Sequence, residues 1–353
     1  MGYERVKNVI RIGSKLVGER RPVFIVAEAG VNHNGSVRLA KKLIDMAKNA
    51  GADAVKFQMF SAEKLVTKTA AKAAYQKKVL GKTQYEMLKK LELSKNDFRA
   101  LKKHAEKLGI IFLVSPFDEE AVDFLDEIGV PAFKVASGEL TNLPFLDYVA
   151  RKNKPIILST GMSTLPEIKE AVNTIKKTEN KKIILLHCVS NYPAKLEDSN
   201  LKAIQTMKKI FNLPIGYSDH TLGIAACIAA AALEACLIEK HVTLDKNLPG
   251  PDHKASIDSD ELRELIQRVR EVEKVLGSAE KKPAKSEIEI KLIARKSIVA
   301  KTNIKKGTAI ARAMLTYKRP GDGLAPKFLG KVVGKVARAD IKKDEKITWK
   351  KIR

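Results

Sequence analysis

Short apolar runs alternate with longer segments of helical period between residues 24 and 276. The runs, such as FIVAEAG (24–30) and IIFLVSPF (110–117), are apolar at almost every position, and most are followed by Gly, Ser or Asp. The segments between them, such as VRLAKKLIDMAKNA (37–50), repeat apolar residues three and four positions apart, as amphipathic helices do. Because continuously apolar strands belong to sheets covered on both faces, the pattern predicts a parallel sheet wrapped in helices.

These runs amount to eight strands, seven intervening helices and a closing helix. The predicted strands are 24–30, 54–60, 110–117, 132–139, 155–162, 182–193, 214–217 and 236–240, and the predicted helices are 37–50, 96–109, 119–129, 145–153, 165–177, 200–211, 221–234 and 259–276. Eight βα units in about 255 residues match the size of a (β/α)8 TIM barrel, an α/β fold. An open doubly wound sheet is the alternative, weakened by the absence of a GxGxxG turn after the first strand.

The segments outside the alternating region differ in pattern. Residues 9–19 predict a β-hairpin that plugs one end of the barrel, and residues 61–95 are an irregular Lys/Ala-rich stretch. After a polar, Pro-containing segment come short β-rich pieces with frequent Gly, which predict a small β-rich domain with a marginal core. The expected bounds are 1–278 for the barrel, 279–292 for the linker and 293–353 for the small domain.

The chain carries a net charge of +25. Residues 294–353 hold 18 Lys or Arg and 4 Asp or Glu, so 18 − 4 = +14 of that charge lies in the small domain. These cations are dispersed among Gly and β-branched residues, without a helical basic stripe or interleaved aromatics, which argues against nucleic acid. An anionic substrate, a docking surface or the composition of an organism growing hot accounts for the charge instead.

Other compositional features narrow the cellular setting. No apolar run approaches the length of a membrane span, so no membrane partner is expected. The N-terminus lacks the pattern of a signal peptide, which predicts a cytoplasmic protein. Three cysteines without a CxxC pair fit a reduced compartment.

Two histidines follow successive strands of the predicted barrel. His220 stands just past the seventh strand and His241 just past the eighth, with Asp219, Asp252 and His253 close by in the sequence. Because the ends of neighbouring parallel strands lie side by side, the two imidazoles are expected to converge. Two His ligands in an oxygen-rich surround suit a divalent metal with open positions, although either His could instead make a structural hydrogen bond.

Polar residues collect where the predicted strands end, which is where barrels place their catalytic groups. In strand order they are Glu28, Asn32, His33, Lys56, Gln58, Ser115, Lys134, Ser137, Glu139, Ser159, Thr160, Gly161, His187, Ser190, Tyr192, Ser218, Asp219, His220, Lys240 and His241. Lys56 and Lys134 lie inside apolar strands, where a lysine is costly unless an anion pairs with it. Together with Ser and Gly they indicate a site for a phosphorylated or acidic substrate.

Two alternative roles for these lysines remain open. Lys134 could form an internal ion pair with Glu28 or Glu139. One lysine with a lowered pKa could instead form a Schiff base, as in a metal-free aldolase. The two histidines favour Lewis-acid carbonyl chemistry over the Schiff base.

The motifs of the chain resemble those of the sialic acid synthase family over essentially its whole length. They are AEAGVNHNG (27–35), VKFQ (55–58), SPFD (115–118), KVASGE (134–139), LSTGM (158–162), HC…YP (187–193), SDHT (218–221), EKHVT (239–243) and PGPDH (249–253). The tail, KSIVAKTNIKKG with KRPGDG, resembles the antifreeze-like (SAF) domain of that family. The resemblance implies condensation of phosphoenolpyruvate with an N-acetylated amino sugar, N-acetylmannosamine or a diacetamido-trideoxyhexose, to a nine-carbon 2-keto acid and phosphate.

The resemblance also implies roles for particular residues. His220 and His241 would hold Mn²⁺ or Mg²⁺, and Glu28 and Asp252 would handle protons. Phosphoenolpyruvate would be bound by Lys56, Ser115, Lys134, Ser137, Ser159, Ser190 and Ser218, and the sugar by Gln58, Glu139, Tyr192 and Asp252. Arg319 would reach the N-acetyl group in the barrel of a second subunit, which implies a domain-swapped homodimer.

Two alternatives in function stay open on the sequence alone. The first is a Schiff-base pyruvate aldolase that uses Lys134. The second, from another class, is a carbohydrate-binding protein whose antifreeze-like domain is the working part. The sequence does not identify the acceptor sugar, because candidates that differ by one hydroxyl or acetamido group are distinguished by a few loop contacts.

Overall fold

Eight parallel strands close into a barrel in the computed structural model, which describes residues 8–72 and 81–353. In chain order the strands are β1 Val9–Ile12, β2 Lys15–Gly18, β3 Phe24–Gly30, β4 Ala54–Met59, β5 Ile111–Pro116, β6 Phe133–Val135, β7 Ile156–Ser159, β8 Ile183–Cys188, β9 Ile215–Asp219, β10 Leu237–His241, β11 Ser297–Ala300 and β12 Leu315–Lys318. Strands β3 to β10 each pair with the next along the chain, and β10 closes on β3. The predicted TIM barrel is confirmed, and the open-sheet alternative is wrong.

Helices cover the outside of this barrel as far as residue 276, and two further helices belong to a second unit that begins at Ser278. In chain order the helices are α1 Val37–Ala50, α2 Ala62–Leu65, α3 Gln84–Lys89, α4 Lys95–Leu108, α5 Glu119–Glu127, α6 Leu143–Arg151, α7 Leu165–Lys177, α8 Ala203–Phe211, α9 Ala225–Ala232, α10 Ser259–Leu276, α11 Glu287–Ala294 and α12 Leu329–Val332. Short polar residues begin several of them: in α4, Ser94 and Asp97 form a reciprocal capping box. None of the helices in the described residues is long and apolar enough to cross a membrane.

The stretch predicted to be irregular, residues 61–95, contains α2 and α3. Part of that stretch, residues 73–80, lies outside the described residues. The described part buries a small apolar cluster of its own, which includes Met87 and Leu91. Apolar packing therefore holds the described part of this insertion, between β4 and α4, in place.

Alternate residues of each strand face the barrel axis. The inner cluster joins inward residues of the strands to the β1–β2 hairpin, and its members are Ile10, Ile12, Val17, Phe24, Val26, Ala54, Leu113, Ala132, Ile157, Ile184, Leu186, Cys236 and Leu237. The hairpin therefore plugs one end of the barrel, as predicted. The intervening strand residues, such as Ile25, Val55 and Tyr217, pack outward against the helices in the main core.

Residues Ser278–Arg353 form a second compact unit. Strands β11 and β12 pair antiparallel there, over a core that includes Ile298, Ile341 and Ile347. Helix α11 begins inside the segment expected to be a linker and ends two residues beyond it. The carboxylate of Glu287, the first residue of α11, accepts a hydrogen bond from the backbone N–H of Ala284.

Candidate active site

The inward positions change from apolar to polar toward the carboxyl ends of the strands. Glu28 follows Phe24 and Val26 by steps of two in β3, and Lys56 follows Ala54 in β4. The same count brings Ser115, Lys134, Ser159, Ser218, Glu239 and His241 to the barrel axis. All of these side chains are buried. The alternation of the strands thus builds a polar layer above the apolar plug.

Lys56 lies at the centre of this layer. Its Nζ is 2.8 Å from Oε2 of Glu28 and 3.6 Å from Oε2 of Glu239. It also donates a hydrogen bond of 3.1 Å to Oγ of Ser115. The predicted phosphate-binding pair Lys56 and Ser115 is therefore brought together by neighbouring strands.

Lys134 approaches the same carboxylate from the other side. Its Nζ is 3.5 Å from Oε1 of Glu239, which also accepts a 3.0 Å hydrogen bond from Oγ of Ser218. The expected partners Glu28 and Glu139 were wrong for Lys134: Glu139 accepts a hydrogen bond from Asn142 on the surface. Glu239, which bridges both lysines, was missed in the sequence.

Burial and charge push the two carboxylates of this cluster in opposite directions. Burial raises the pKa of Glu28 and outweighs the opposing effect of Lys56. Burial also acts on Glu239, but Lys134 and Lys56 together outweigh it and lower its pKa. For Lys134 burial is the largest effect, and it lowers the pKa of the amine. Glu239 is therefore the ionised partner of the lysines, and Glu28 is the carboxyl that more readily holds a proton.

Several buried polar atoms in this layer have no hydrogen-bond partner. They are Oε2 of Glu239, Oγ of Ser159 and Nδ1 of His241, whereas Oε2 of Glu28 has its ion pair with Lys56 at 2.8 Å. Buried polar atoms are almost always satisfied in folded proteins, so each exception is informative. Three exceptions around one axis indicate a place where a polar ligand completes the hydrogen bonding.

Two further hydroxyls meet at Gly161, after β7. The backbone N–H of Gly161 donates a 3.0 Å hydrogen bond to Oγ of Ser137. A Cβ at this position would lie 2.2 Å from Oγ of Ser190, so only glycine allows the approach. Ser137 and Ser190 are therefore brought together at the end of β7, next to the strand that carries Lys134. The hydroxyl of Thr160 instead donates a hydrogen bond to the carbonyl of Leu186, so Thr160 has a structural role.

The two predicted metal ligands, His220 and His241, lie with their ring centroids 5.3 Å apart. The ring of Tyr192 packs 4.0 Å from that of His220 and 5.6 Å from that of His241. Nδ1 of His220 donates to the carbonyl of Val189 at 2.6 Å, which leaves Nε2 with its lone pair. Burial lowers the pKa of His220, but Cys188, the carbonyl of Val189 and Asp219 together outweigh burial and raise the pKa.

His241 is held in its neutral form. Burial, reinforced by the charge of His220, lowers the pKa of His241 well below its usual value. Its Nδ1 is 3.7 Å from Oδ2 of Asp252, and burial raises the pKa of Asp252 to about 6. A neutral imidazole with an unused nitrogen beside a carboxylate is suited to bind a cation.

Gly30 shows how closely the predicted catalytic groups converge. Its φ is +51°, and an added Cβ would lie 3.2 Å from Glu28, 3.3 Å from Gln58 and 3.5 Å from His241. Nε2 of Gln58 donates to Oε1 of Glu28 at 2.9 Å. The lysine cluster and the histidine pair are therefore parts of one site.

The described residues contain no group of three or more His, Cys, Asp or Glu side chains arranged around a metal position. His220 and His241 nevertheless fit a divalent ion, because Nδ1 of His241 is buried without a partner and the hydrogen bond of His220 fixes its tautomer. Two protein ligands would leave the remaining coordination positions to substrate and water.

Asp219 and Lys240 face away from this site. Nζ of Lys240 lies 2.6 Å from Oδ2 of Asp219 and also donates to the carbonyl of Thr221. Asp219 accepts further hydrogen bonds from Tyr217 and Cys227 on the helix side of β9. Their proposed place among the strand-end site residues is corrected: this pair stabilises the packing between the barrel and its helices.

Side chains of the NHNG segment (residues 32–35) connect two loops. Nδ2 of Asn32 donates to Oγ of Ser256 at 2.8 Å, and Nε2 of His253 lies 3.2 Å from Oδ1 of Asn34. These contacts join the loop after β3 to the loop that carries Asp252. Asn32 and His253 therefore position the site.

Arg319 belongs to the second unit, where it is exposed. The turn that carries it is held by Oγ of Ser297, which donates to the carbonyl of Pro320 at 2.6 Å and accepts from the N–H of Gly323. The turn is thus fixed within its own unit, and the role of Arg319 stays a prediction.

Comparisons with known proteins fit this geometry. A sequence model of the NeuB family matches residues 43–281, and one of the SAF domain matches residues 295–353. N,N'-diacetyllegionaminic acid synthase of Legionella pneumophila is 48% identical over 358 residues, which cover 100% of this chain and 99% of that protein. The enzyme of the same name from Campylobacter jejuni is 49% identical and covers 93% of this chain and 99% of its own.

A solved structure agrees with the fold. The crystal structure of N-acetylneuraminic acid (sialic acid) synthetase from Leptospira borgpetersenii in complex with citrate superimposes with a TM-score of 0.75 at 38% identity. The match covers 82% of this chain and 96% of that one.

Proposed function

The chain belongs to the NeuB family, and from that premise we propose that it condenses phosphoenolpyruvate with an N-acetylated amino sugar to a nine-carbon 2-keto acid and phosphate. The observation that carries the proposal is the pair of buried lysines, Lys56 and Lys134, at the barrel axis. Phosphoenolpyruvate carries a phosphate and a carboxylate a few bonds apart, and two neighbouring cations complement them.

The hydroxyl groups around the lysines complete the phosphoenolpyruvate site. The binding set is Lys56, Ser115, Lys134, Ser137, Ser159, Ser190 and Ser218. The unsatisfied Oγ of Ser159 supports this assignment, because a bound anion would give it an acceptor. Glu239 lies between the two lysine amines and pairs with both of them, which holds them at the barrel axis for the incoming anion.

The acceptor sugar lies on the histidine side of the site, with its hydroxyls on Gln58, Glu139, Tyr192 and Asp252. When Mn²⁺ or Mg²⁺ is bound by His220 and His241, it supplies Lewis-acid polarisation of the open-chain sugar aldehyde. Tyr192 packs against both imidazoles and excludes water from one side of them.

The bond changes follow from this arrangement. C3 of phosphoenolpyruvate attacks the aldehyde carbon and forms the new C–C bond, and water adds at C2. Phosphate then leaves with the bridging oxygen, so the C2–O bond breaks. Glu28, whose pKa burial raises, and Asp252 handle the protons.

Phosphate release tests the proposal most simply. We expect release from phosphoenolpyruvate only when an acetylated amino sugar is present, and we expect bridging ¹⁸O to appear in the phosphate. Chelation should abolish the release and added Mn²⁺ should restore it. Full activity in chelator with no bound metal would exclude His220 and His241 as metal ligands.

The acceptor is proposed to be a diacetamido-trideoxyhexose. The relatives named N,N'-diacetyllegionaminic acid synthase, at 48% and 49% identity, support this choice over N-acetylmannosamine. The measurement is kcat/KM for both sugars and for the isomeric sugar that leads to pseudaminic acid. A preference for N-acetylmannosamine would overturn the choice and leave the reaction class intact.

The chain is further proposed to act as a domain-swapped homodimer in which Arg319 serves the barrel of the second subunit. The exposed, fixed turn of Arg319 supports this. Mixed and refolded Arg319→Ala and Lys134→Met chains should regain about a quarter of wild-type activity, because half of the dimers carry one intact site. No regain beyond the two parent variants would contradict the swap.

One observation favours a second candidate, a Schiff-base aldolase. Burial lowers the pKa of Lys134, which makes its amine a better nucleophile. Borohydride with pyruvate would then trap an adduct on Lys134. Absence of an adduct removes this candidate.

A further inference from the structure

A cavity of about 660 Å³ opens beside Tyr192. It lies between α3 and the loop that follows β10, and Tyr192 connects it to the site because the same ring packs on His220. Of the predicted site residues only Tyr192 lines it. Its volume is that of a site for part of a small-molecule ligand.

The inner wall of the cavity is apolar. Met87 and Leu91 come from the buried cluster of the insertion, and Leu248, Pro249 and Pro251 come from the loop after β10. Met87 is only 2% exposed, so this part of the wall is anchored by packing. The wall therefore presents a fixed hydrocarbon surface in a cavity that Tyr192 shares with the histidine pair.

The polar groups near this wall are already engaged. Oδ1 of Asn34 faces Nε2 of His253, and the amide of Asn247 donates to Asp245 at 3.1 Å. Among the described residues that line the cavity, none carries a carboxylate. Its two cations, Lys90 and Lys254, have exposed side chains.

We propose that this cavity binds the end of the acceptor sugar remote from its aldehyde, and that Leu248 and Met87 make it select methyl and acetamido groups over hydroxyl or phosphate. The proposal rests on the condensation proposed above and identifies the residues that select the acceptor sugar. A methyl or acetamido methyl placed against the wall leaves water favourably. A hydroxyl in the same place gives up its water hydrogen bonds without a replacement.

The experiment compares three acceptors by phosphate release from phosphoenolpyruvate: a diacetamido-trideoxyhexose, N-acetylmannosamine and N-acetylmannosamine 6-phosphate. The variants are Leu248→Asn, Met87→Gln and Lys254→Ala, and the matched control is Ile210→Asn. Ile210 is an exposed apolar residue near the end of α8 and does not line the cavity. KM for phosphoenolpyruvate reports in each case that the variant has folded.

In the wild type we expect the trideoxy sugar to be preferred at least tenfold in kcat/KM. Leu248→Asn should reduce the ratio of kcat/KM values between the two sugars about tenfold, which corresponds to about 1.4 kcal/mol. The whole reduction should come from a higher KM for the trideoxy sugar. Ile210→Asn and Lys254→Ala should leave the preference unchanged. Met87→Gln repeats the test at the part of the wall that comes from the insertion.

Two results would overturn the proposal while leaving the condensation standing. One is an equal effect of Leu248→Asn on all three acceptors. The other is a preference for the 6-phosphate that Lys254→Ala abolishes, which would assign the cavity to a phosphate. Absence of phosphate release with every acceptor would instead reject the condensation itself, and this proposal with it.

Discussion

Two buried lysine–carboxylate groups lie on opposite sides of the same barrel wall. The outward pair, Lys240 and Asp219, is completely buried, and Thr221, Tyr217 and Cys227 complete the hydrogen bonds of the Asp219 carboxylate and the Lys240 amine. The inward group has two lysines that share the carboxylate of Glu239, with acceptor atoms that make no hydrogen bond. The two groups are alike in burial and in the charges they contain, but only the outward pair has all of its hydrogen bonds made.

This difference separates a structural ion pair from a binding site. A buried pair holds a fold together when every donor and acceptor is used, because an unpaired buried charge is costly. The inward group keeps unused capacity, which a substrate anion can take up. Charged residues in a barrel strand are therefore distinguished by how completely they are bonded as well as by how deeply they are buried.

Breaking the outward pair should give the largest change in stability. Lys240→Met leaves the Asp219 carboxylate buried without its cation, which we expect to cost about 3–5 kcal/mol in the free energy of unfolding. Asp219→Asn combined with Lys240→Met should recover part of the loss, because no uncompensated charge remains. Urea unfolding measures both, and a loss under about 1 kcal/mol for Lys240→Met would contradict the comparison.

Breaking the inward group should act on catalysis instead. Lys134→Met is expected to lower kcat/KM about a thousandfold, or about 4 kcal/mol, because it removes a cation from the phosphoenolpyruvate site. Its stability should stay equal or rise, since burial disfavours the charge of Lys134 in the folded chain. A loss of stability as large as that of Lys240→Met would show that the inward group is structural too.

The pH dependence of stability sharpens the comparison at Asp252. Burial raises its pKa from 3.8 to about 6, so between those values the folded chain keeps a proton that the unfolded chain has lost. Stability from this group therefore falls as pH rises through that window, by about 1.4 kcal/mol per pH unit. Asp252→Asn should remove the fall, which a series of urea titrations from pH 4 to pH 7 would measure.

Buried histidines contribute to the pH dependence of stability with the opposite sign. Burial lowers the pKa of His33 and of His253 to about 4, so their stabilisation is present near neutral pH and is lost as pH falls from about 6.5. Asp252→Asn should consequently show a steeper rise of stability with pH than the wild type. A difference between the two proteins that does not change with pH would contradict the assignment.

The smallest effect is expected at the loop contact. His253→Leu removes hydrogen bonds to Thr243 and Asn34, which should cost about 1–2 kcal/mol of stability. KM for the acceptor should rise while KM for phosphoenolpyruvate stays constant, since only the Asp252 loop is loosened. The control is His104→Leu, which breaks a more exposed contact to Asp45. It should change neither the stability nor the KM for the acceptor.

The sequence predicted the fold because both of its signals are local. Continuously apolar strands and capped helices follow one another in a fixed order, and eight such units leave few topologies besides a barrel. Helix α11 was not expected, because the surrounding Lys, Ser and Pro residues of the segment suggested a linker. The hydrogen bond from the backbone N–H of Ala284 to Glu287 at the start of α11 is a contact that composition does not show.

The site was predicted less completely. Strands buried on both faces show no alternation of apolar and polar residues, so the sequence did not tell that Lys240 faces outward. Counting back by two from His241 would have found Glu239. The cavity that joins Met87 to Leu248 could not be predicted, because two loops far apart in the sequence form it and no local pattern sets their spacing.

Affinity for phosphoenolpyruvate tests the central claim most directly. Titration calorimetry on the full chain should give one site per chain in the wild type and in Lys107→Met, which replaces an exposed lysine of α4. Lys134→Met should bind at least a hundredfold more weakly, a difference of about 2.7 kcal/mol. Equal affinity in all three proteins would contradict the claim that the inward lysines form the anion site.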